Sequence, residues 1–299
     1  MEENRIRLDG GFQNDVFHIE EKGKVVRISD SRKTKEMVLQ EIEWMNFLHE
    51  KGLAVPKPEM ILGYEEGRVR AYFEFIQGDG IDVTNVLHWN VKRFEQWGRI
   101  LGRMHALSKQ YKVNEIHRPE WTVENVDVFE IRGYLSPCIR ENYDRLMQSL
   151  CTYKITPDTF GLVHNDFHQC NLILANEGTL TTIDFDECSY NWYAQNIAVS
   201  FYHAYWQHHS YNADTGSFTY TFMNHFFVGY QIENLLHENI IKQIPIFLKL
   251  REIFLYQLFM RKWEMSNLEE WQKYTLHDLE GKIKNQMPYV GITDFSIYV

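Results

Sequence analysis

The chain is poor in cysteine and has no closely spaced cysteine pair. Among its 299 residues, the four cysteines are Cys138, Cys151, Cys170 and Cys188, and no two of them form a C-x-x-C pattern. Four cysteines that occur singly in this way fit neither a disulfide framework nor a zinc ribbon. We therefore expect a reducing, cytoplasmic setting, which the lack of a basic-then-apolar secretion signal at the start also favours.

Basic charge and long apolar runs are also scarce. Asp and Glu number 41 against 31 Lys and Arg, so the formal net charge is 31 − 41 = −10. Polyphosphate repels such a surface unless basic residues cluster, and the sequence shows no long Lys/Arg cluster. Residues 188–213 lack charged side chains, but Asn, Gln and His interrupt them too often for a membrane span. We expect neither a nucleic-acid partner nor a membrane partner.

Residues 1–77 are predicted to form a small β-rich lobe with one helix. Over 35–51 the apolar residues recur at intervals of three and four, which predicts an amphipathic helix. The linker 77–80, with its two glycines, is the predicted crossing point to the rest of the chain. Strand-like segments are 16–19, 24–28, about 59–64 and 69–76, the first two forming a hairpin.

Residues 78–299 are predicted to form a larger, mainly helical lobe with a small island of strands. The predicted helices are 91–110, 127–151, 193–208, 216–237 and 240–265. The strand-like segments of the island are 162–164, 172–174 and 181–183. The predicted fold class is therefore α+β in two unequal lobes.

The polar residues of this island have a spacing that suits phosphoryl transfer. Asp166 lies five residues before Asn171, and Asp184 follows thirteen residues after Asn171, each beside strand-like sequence. Three oxygen ligands of this kind are what Mg²⁺ on a nucleotide phosphate requires, and a carboxylate can accept the proton of an attacking hydroxyl. Asp and Asn are also common turn residues, so each of them alone would signify little.

The residues 164–171, His-Asn-Asp-Phe-His-Gln-Cys-Asn, resemble the catalytic-loop motif H-G-D-x-H-x-x-N of the aminoglycoside phosphotransferase and choline kinase superfamily. The residues 183–186, Ile-Asp-Phe-Asp, resemble its metal-binding segment, which corresponds to the D-F-G of protein kinases. The resemblance implies a protein-kinase-like two-lobe fold, with a nucleotide-binding lobe at 1–77 and a catalytic and substrate-binding lobe at 78–299. The sequence of this segment, followed by an aromatic-rich helix, is most similar to the homoserine-kinase-like and bacterial stress-response kinase branch of the superfamily.

This resemblance implies roles for individual residues. Asp166 would be the catalytic base, and Asn171 and Asp184 would bind Mg²⁺. Asp186 would contact a second metal ion. The implied cofactors are ATP and Mg²⁺, with GTP not excluded because the family recognises the base through backbone atoms.

The resemblance also places the nucleotide site in the first lobe. Arg27 stands where the family has a phosphate-contacting Lys, and Glu41 would pair with it from the following helix. Arg keeps the charge but presents a planar fork, so the phosphate contact differs from that of Lys. The carbonyl of Glu74 and the amide of Ile76 would hydrogen-bond an adenine. The loop 9–15 lies where the family covers the phosphates, but it lacks a full G-x-G-x-x-G pattern.

Two positions depart from the family pattern. Asn165 replaces the usual Gly of the motif, and Asn can adopt the left-handed conformation that a turn requires. Asn196 stands where the family usually has an Asp that braces the catalytic loop, and it can hydrogen-bond without bringing charge. His164 and His168 are expected to hold the shape of the loop by hydrogen bonds instead of acting as acid or base.

These residues predict an ATP-dependent kinase that transfers the γ-phosphoryl group to a hydroxyl of a small-molecule acceptor. Two alternatives stay open from the sequence. One is a serine/threonine protein kinase of similar fold, and the other is a nucleotide-binding regulatory protein with weak catalysis.

The acceptor site is expected near an aromatic-rich segment. Residues 192–230 contain 13 aromatic residues in 39 positions. Most are expected to form a helical core, while Tyr202, Tyr205 or Trp206 could border an acceptor pocket. In residues 150–299, Asp and Glu exceed Lys and Arg by 16 to 9, which suits either an amine-bearing acceptor or simple solubility.

Overall fold

A five-stranded antiparallel sheet forms the first part of the chain, in the order β1-β2-β3-β5-β4. The structure is a computed structural model, and it describes residues 4–8, 14–122, 131–213 and 216–299. The strands are β1 (Ile6–Arg7), β2 (Asp15–Ile19), β3 (Lys24–Ile28), β4 (Gly63–Glu65) and β5 (Arg68–Glu74). Strand β3 pairs with β2 and β5, so Arg27 lies on the central strand. The predicted β2–β3 hairpin is confirmed.

Strands β4 and β5 differ from the predicted 59–64 and 69–76. They are shorter and meet at a two-residue turn of Glu66 and Gly67, with φ of 49° and 76°. Positive φ at both turn positions matches the right-handed twist of a hairpin, and it explains why the ladder begins at Arg68. Alternating burial along β5 leaves one face of this strand for helix packing.

Helix α1 (Lys35–Glu50) packs against this sheet, as predicted. Its amino end is capped by Thr34, whose hydroxyl accepts a hydrogen bond from the Met37 amide at 3.2 Å. The side chains of Val38 and Ile42 are fully buried in the main core. The helix therefore carries the neighbouring Glu41 to the inner face of the sheet.

The rest of the chain is mainly helical. Its helices are α2 (Val91–Ser108), α3 (Pro137–Cys151), α4 (Tyr193–Tyr211), α5 (Phe218–Glu233), α6 (Glu238–Lys262) and α7 (Glu270–Lys284). Helices α2 and α5 approach so closely that a Cβ on Gly98 would lie 1.9 Å from the Phe226 carbonyl oxygen. Within the described ranges, no helix combines the length and apolar character needed to cross a membrane.

Two small sheets interrupt these helices and carry the polar loops. One has the order β6-β8-β9, and the other pairs β7 with β10. Their strands are β6 (Gly78–Gly80), β7 (Phe160–Val163), β8 (Leu172–Ala175), β9 (Leu180–Thr182) and β10 (Ser189–Trp192). Strand β6 lies within the predicted linker 77–80 and pairs with β8 of the second part of the chain. The lobe boundary at residue 77 stays a prediction. The α+β prediction is confirmed.

Two helix predictions need correction. The helix predicted at 127–151 begins only at Pro137, because proline fits the first turn of a helix. A short 3₁₀ turn at 132–134 precedes it, and residues 127–130 lie outside the described residues. Helix α7 was not predicted, although it has a capping box between Glu269 and Gln272. Its buried apolar residues are few, so its periodic signal in the sequence is weak.

Candidate active site

The loop between β7 and β8 is held in one shape by buried polar contacts. Asn165 has a φ of 75°, as expected for a residue replacing glycine, and its amide donates to Asn196 Oδ1 at 2.8 Å. His164 Nε2 donates to the Ile183 carbonyl at 2.9 Å. Burial lowers the pKa of His164 to about 4, so this imidazole is neutral. The predicted shape-holding roles of His164 and Asn196 are thus supported by their contacts.

Asp166 presents a carboxylate whose two oxygens each accept a hydrogen bond. His168 Nε2 lies 3.1 Å from Oδ2, and Arg251 Nη2 lies 2.8 Å from Oδ1. The side chain is 31% exposed, so it remains open to a ligand. Burial alone would raise the pKa of Asp166, but His168 and Arg251 outweigh it and hold this pKa well below its usual range. The group is ionised at neutral pH.

His168 has a defined hydrogen-bonding role. Its Nδ1 accepts from the Cys170 amide at 3.3 Å, so the imidazole caps the short 3₁₀ turn Gln169–Asn171. The tautomer that accepts at Nδ1 donates at Nε2, which is the atom facing Asp166. The contacts support the predicted shape-holding role for His168 as well.

Arg251, from helix α6, was not found by the sequence analysis. Its Nε and Nη2 lie 3.1 and 2.6 Å from Nε2 of His203, which must therefore be an acceptor. Burial and Arg251 hold the pKa of His203 well below its usual range, so the ring is neutral. His203 stacks on His168 with ring centroids 4.5 Å apart. Arg251 follows the buried apolar residues Phe247 and Leu248 at helical spacing on α6, and its charge at such a position was the signal available in the sequence.

The same side chains resemble a metal site by spacing alone. Ligand atoms of Asp166, His168 and His203 all lie within 4.8 Å of one another. Arg251, however, already donates to Asp166 and His203. A guanidinium in this position repels a cation, so we assign this cluster to the support of Asp166.

Asn171 links the loop to the segment after β9. Its Nδ2 donates to the Asp166 carbonyl at 2.8 Å, and its own carbonyl accepts from the Ile183 amide at 3.0 Å. The side-chain oxygen Oδ1 is consequently the free end, since only Nδ2 can donate to a carbonyl. Asn171 thus offers an oxygen ligand beside both Asp166 and Asp184.

Asp184 is the second candidate ligand. It has a φ of 60°, which is uncommon for a residue other than glycine, and it is exposed on the open side of the segment. Partial desolvation of its carboxyl by the surrounding protein, together with the charge of Asp186, raises the pKa of Asp184 to about 7. A carboxyl crowded by other carboxylates is a setting that a divalent cation stabilises, so Asn171 and Asp184 fit the metal that the sequence predicts.

Asp186 faces the first part of the chain. Its Oδ2 accepts from Asn14 Nδ2 at 2.9 Å, and Lys33 Nζ and Arg27 Nη1 lie 3.6 and 3.9 Å from Oδ1. Burial would raise its pKa, but Arg27 and Lys33 outweigh burial and lower it. Asp186 is 3% exposed, and these contacts hold the segment against the sheet. Its role as a ligand of a second metal ion stays a prediction.

The predicted contact between Arg27 and Glu41 is present. Their two hydrogen bonds measure 2.6 and 2.9 Å, in a side-by-side arrangement. Glu41 is fully buried, and the Arg27 guanidinium lies over the Phe73 ring at 5.1 Å. The pair is thus a buried, bidentate ion pair.

Two further cations hold the segment 186–188 and were missed by the sequence analysis. Lys33 Nζ donates to the Asp186 carbonyl at 2.8 Å. Arg118 donates to the Asp186 carbonyl and, through Nε, to the Cys188 carbonyl at 2.8 Å, and it lies 3.8 Å from Glu41. The carbonyls that accept from Lys33 and Arg118 are far away in the sequence, so no local sequence pattern predicts these contacts.

The predicted adenine-binding residues lie at the end of β5. The Glu74 amide donates to the Lys57 carbonyl at 2.9 Å, and the Phe75 amide donates to the Gly23 carbonyl at 3.0 Å. The Ile76 amide has no hydrogen-bond partner within the described parts of the chain. A free amide directly after β5 is consistent with base recognition. Of the loop 9–15, residues 9–13 lie outside the described residues.

The aromatic segment mainly fills the core. Tyr202 is 5% exposed and stacks on Tyr289, with ring centroids 4.4 Å apart. Trp206 is only half-buried and lies 6.0 Å from the His203 ring. The core prediction is confirmed for most of the segment, and a role of Trp206 in acceptor binding stays a prediction.

Known proteins share both this sequence and this arrangement. The profile of the "Phosphotransferase enzyme family" matches residues 5–222. Amicoumacin kinase of Bacillus subtilis (strain 168) is 30% identical over 283 residues, covering 90% of this chain and 82% of that protein. The structure of the amicoumacin kinase hAmiN in complex with AMP-PNP, Ca²⁺ and Ami has a TM-score of 0.88 and 26% identity, covering 99% of this chain and 92% of that one.

A more distant structure shares the fold. The microcompartment-associated aminopropanol kinase has a TM-score of 0.73 at 17% identity, covering 94% of this chain and 90% of that one. The predicted kinase-like fold is confirmed, and the similarity to the amicoumacin kinase structure extends well beyond residue 222, where the family match ends. The narrower placement in the homoserine-kinase-like branch stays a prediction.

Proposed function

Because this chain belongs to the phosphotransferase enzyme family, we propose that Asp166, Asn171 and Asp184 carry its reaction. The chain is an ATP-dependent phosphotransferase that acts on a hydroxyl group of a small-molecule acceptor and uses a divalent cation. The observation that supports the residue roles best is the position of Asn171. It is tied to the Asp166 carbonyl while its Oδ1 stays free.

Asp166 accepts a hydrogen bond from the hydroxyl group of the acceptor and orients this group for in-line attack on the γ-phosphoryl group. The transition state of phosphoryl transfer is loose, so positioning and charge stabilisation contribute more than proton abstraction does. An ionised carboxylate with both oxygens fixed suits that task. The proton passes to Asp166 as the new O–P bond forms and the bond to ADP breaks.

Asn171 and Asp184 hold the divalent cation through oxygen atoms. When bound, the cation neutralises negative charge on the phosphate oxygens and helps to align them. The crowding that raises the pKa of Asp184 is relieved when its carboxylate meets a cation.

Arg27 contacts the nucleotide phosphates, and Glu41 fixes its guanidinium. Both hydrogen bonds of this pair come from the terminal nitrogens, and the second hydrogen of each nitrogen remains for a phosphate. The backbone at Glu74 and Ile76 binds the base. With these assignments, residues 1–77 form the nucleotide-binding lobe and residues 78–299 form the catalytic and acceptor-binding lobe.

We propose amicoumacin as the first acceptor to test. The two relatives that act on it align with 90% and 99% of this chain, and the second has a TM-score of 0.88. Trp206 lies beside His203, where a ring or an apolar part of an acceptor would be in contact.

The test measures Mg²⁺-dependent ADP release with amicoumacin, amino-alcohols, sugars and aminoglycosides as acceptors. Asp166→Ala serves as the blank, and we expect it to lower kcat by about 10²–10⁴-fold while the Kd for ATP stays unchanged, because Asp166 acts in general base catalysis and not in nucleotide binding. Full turnover in Asp166→Ala would contradict the role of Asp166. Turnover of another acceptor class alone would remove amicoumacin as the substrate and leave the residue roles standing.

A further inference from the structure

The carboxylate of Asp166 has one donor on each oxygen, and the two donors come from different parts of the chain. His168 lies two residues away in the same loop. Arg251 lies 85 residues away on helix α6. A carboxylate held at one oxygen can still turn about its Cβ–Cγ bond, whereas donors at both oxygens fix its plane.

Arg251 is itself fixed by several contacts. His203 accepts from its Nε and Nη2, and the guanidinium lies over the Phe254 ring at 5.1 Å. The residue is 7% exposed. His203 in turn stacks on His168. The two donors to Asp166, His168 and Arg251, are therefore both in contact with His203. The guanidinium therefore has one available orientation, with Nη2 directed at Asp166.

Such an ion pair lowers the basicity of the carboxylate. This costs little in phosphoryl transfer, since the base chiefly orients the hydroxyl and receives the proton late. Displacement of a reacting group by about 1 Å can lower the rate by about 10²-fold. Fixed geometry thus outweighs basicity at this position.

We propose that Arg251 is a positioning residue, which fixes the Asp166 carboxylate in the orientation that aligns the acceptor hydroxyl. The proposal rests on the proposed role of Asp166 as the base. It gives the last part of the chain, beyond the family match at 5–222, an indirect part in the reaction, through Asp166.

The test compares Arg251→Ala and Arg251→Lys with a matched control on the same helix. Arg261→Ala removes an exposed guanidinium whose contact is the Tyr134 ring at 5.2 Å. We expect Arg251→Ala to lower kcat by about 10–100-fold with the KM for ATP unchanged. Arg251→Lys is expected to retain part of the activity, and Arg261→Ala all of it.

Chemical rescue separates positioning from a general structural effect. Millimolar guanidinium ion, far below denaturing concentrations, is expected to restore part of the kcat of Arg251→Ala and none of the kcat of Asp166→Ala. The proposal is overturned if folded Arg251→Ala keeps the wild-type kcat. It is also overturned if kcat and ATP binding fall together with the melting temperature and guanidinium restores nothing.

A crystal structure of the wild-type enzyme with AMP-PNP and Mg²⁺ provides a test that needs no turnover. We expect Arg251 within hydrogen-bond distance of Asp166 there, and in Arg251→Ala we expect the carboxylate to turn or to lose a single position. An Arg251 side chain directed away from Asp166 would overturn the proposal. If the wild-type enzyme phosphorylates none of the acceptors tested, the acceptor proposal fails while this structure still decides the role of Arg251.

Discussion

Two ion pairs contact the two motifs of the candidate active site, and the more buried member is the carboxylate in one pair and the guanidinium in the other. In the Arg27–Glu41 pair the carboxylate is fully buried, and the guanidinium reaches to 3.9 Å from Asp186 in the metal-binding segment. In the Arg251–Asp166 pair the guanidinium is the buried member, and the carboxylate is 31% exposed. Under the proposed roles, the first pair would present a cation to the nucleotide phosphates and the second would present an anion to the acceptor hydroxyl.

In each pair, the more buried charge stabilises and orients its partner. Burial of the charge on Arg27 or Asp166 would be costly without its partner, and the partner also fixes the orientation of the charged group. Glu41 and Arg251, the more buried members of the two pairs, need no contact with a ligand, so the value of each lies in what it does to Arg27 or Asp166. Removal of either buried member therefore tests the pair more directly than removal of the functional group.

The largest expected effect on folding comes from the removal of Glu41. Glu41→Gln leaves Arg27 buried without its counter-charge, and we expect the free energy of unfolding to fall by about 3–5 kcal/mol. Urea unfolding followed by tryptophan fluorescence measures this loss. Glu20→Gln, at an exposed position on the 3₁₀ turn between β2 and β3, is the control and should change little. An unfolding free energy within error of the wild type would show that Arg27 finds another partner.

A smaller effect is expected at Glu252, the helix neighbour of Arg251. This residue is 1% exposed, and its Oε1 has no hydrogen-bond partner within the described residues. Burial raises the pKa of Glu252 to about 7, so the folded state favours the neutral acid. The raised pKa makes the wild type lose stability as pH rises from about 4.5 to 7, by at most about 3 kcal/mol.

Glu252→Gln should remove this pH dependence. We expect the variant to unfold at a higher temperature than the wild type at pH 8, and at a similar temperature near pH 4.5. Differential scanning calorimetry at the two pH values measures the difference. If Glu252→Gln is less stable than the wild type at pH 8, the Glu252 carboxylate has a counter-charge in solution. It would then be a paired carboxylate, like Glu41 and Asp166.

The smallest expected effect concerns the choice of acceptor. Arg251 places a positive charge at 2.8 Å from Asp166, so an ammonium two carbons from the acceptor hydroxyl would lie close to another cation. At a separation of about 5 Å and an effective dielectric constant of about 20–80, the repulsion is about 1–3 kcal/mol. We expect N-acetylethanolamine to be preferred over ethanolamine by about tenfold, as substrate or as competitive inhibitor.

A control for this preference is 6-amino-1-hexanol, whose ammonium is far from its hydroxyl and should not be disfavoured. Preference for ethanolamine over its N-acetyl derivative would show that carboxylates near the acceptor outweigh Arg251. The outcome would also distinguish this chain from the aminopropanol kinase with which it shares a fold.

The sequence predicted the parts of the site that depend on local spacing. Asp166, Asn171 and Asp184 belong to two short motifs, and the Arg27–Glu41 pair joins a strand to the next helix along the chain. Arg251, His203 and Arg118 could not be found in this way, because the partners that hold them in the site are 35 or more residues distant and are set by helix packing. Helix α7 was missed because its few buried residues give a weak periodic signal.

The position of Arg251 also bears on how the enzyme is made. A ribosome that has completed residue 222 has synthesised the whole of the family match, but the 262 − 222 = 40 residues up to the end of α6 are still to be made. At about 5–20 residues per second these take roughly 2–8 s more. During that interval the nascent chain has both motifs but lacks the helix that carries Arg251, so we expect its phosphoryl transfer to be slower until α6 has left the exit tunnel and docked.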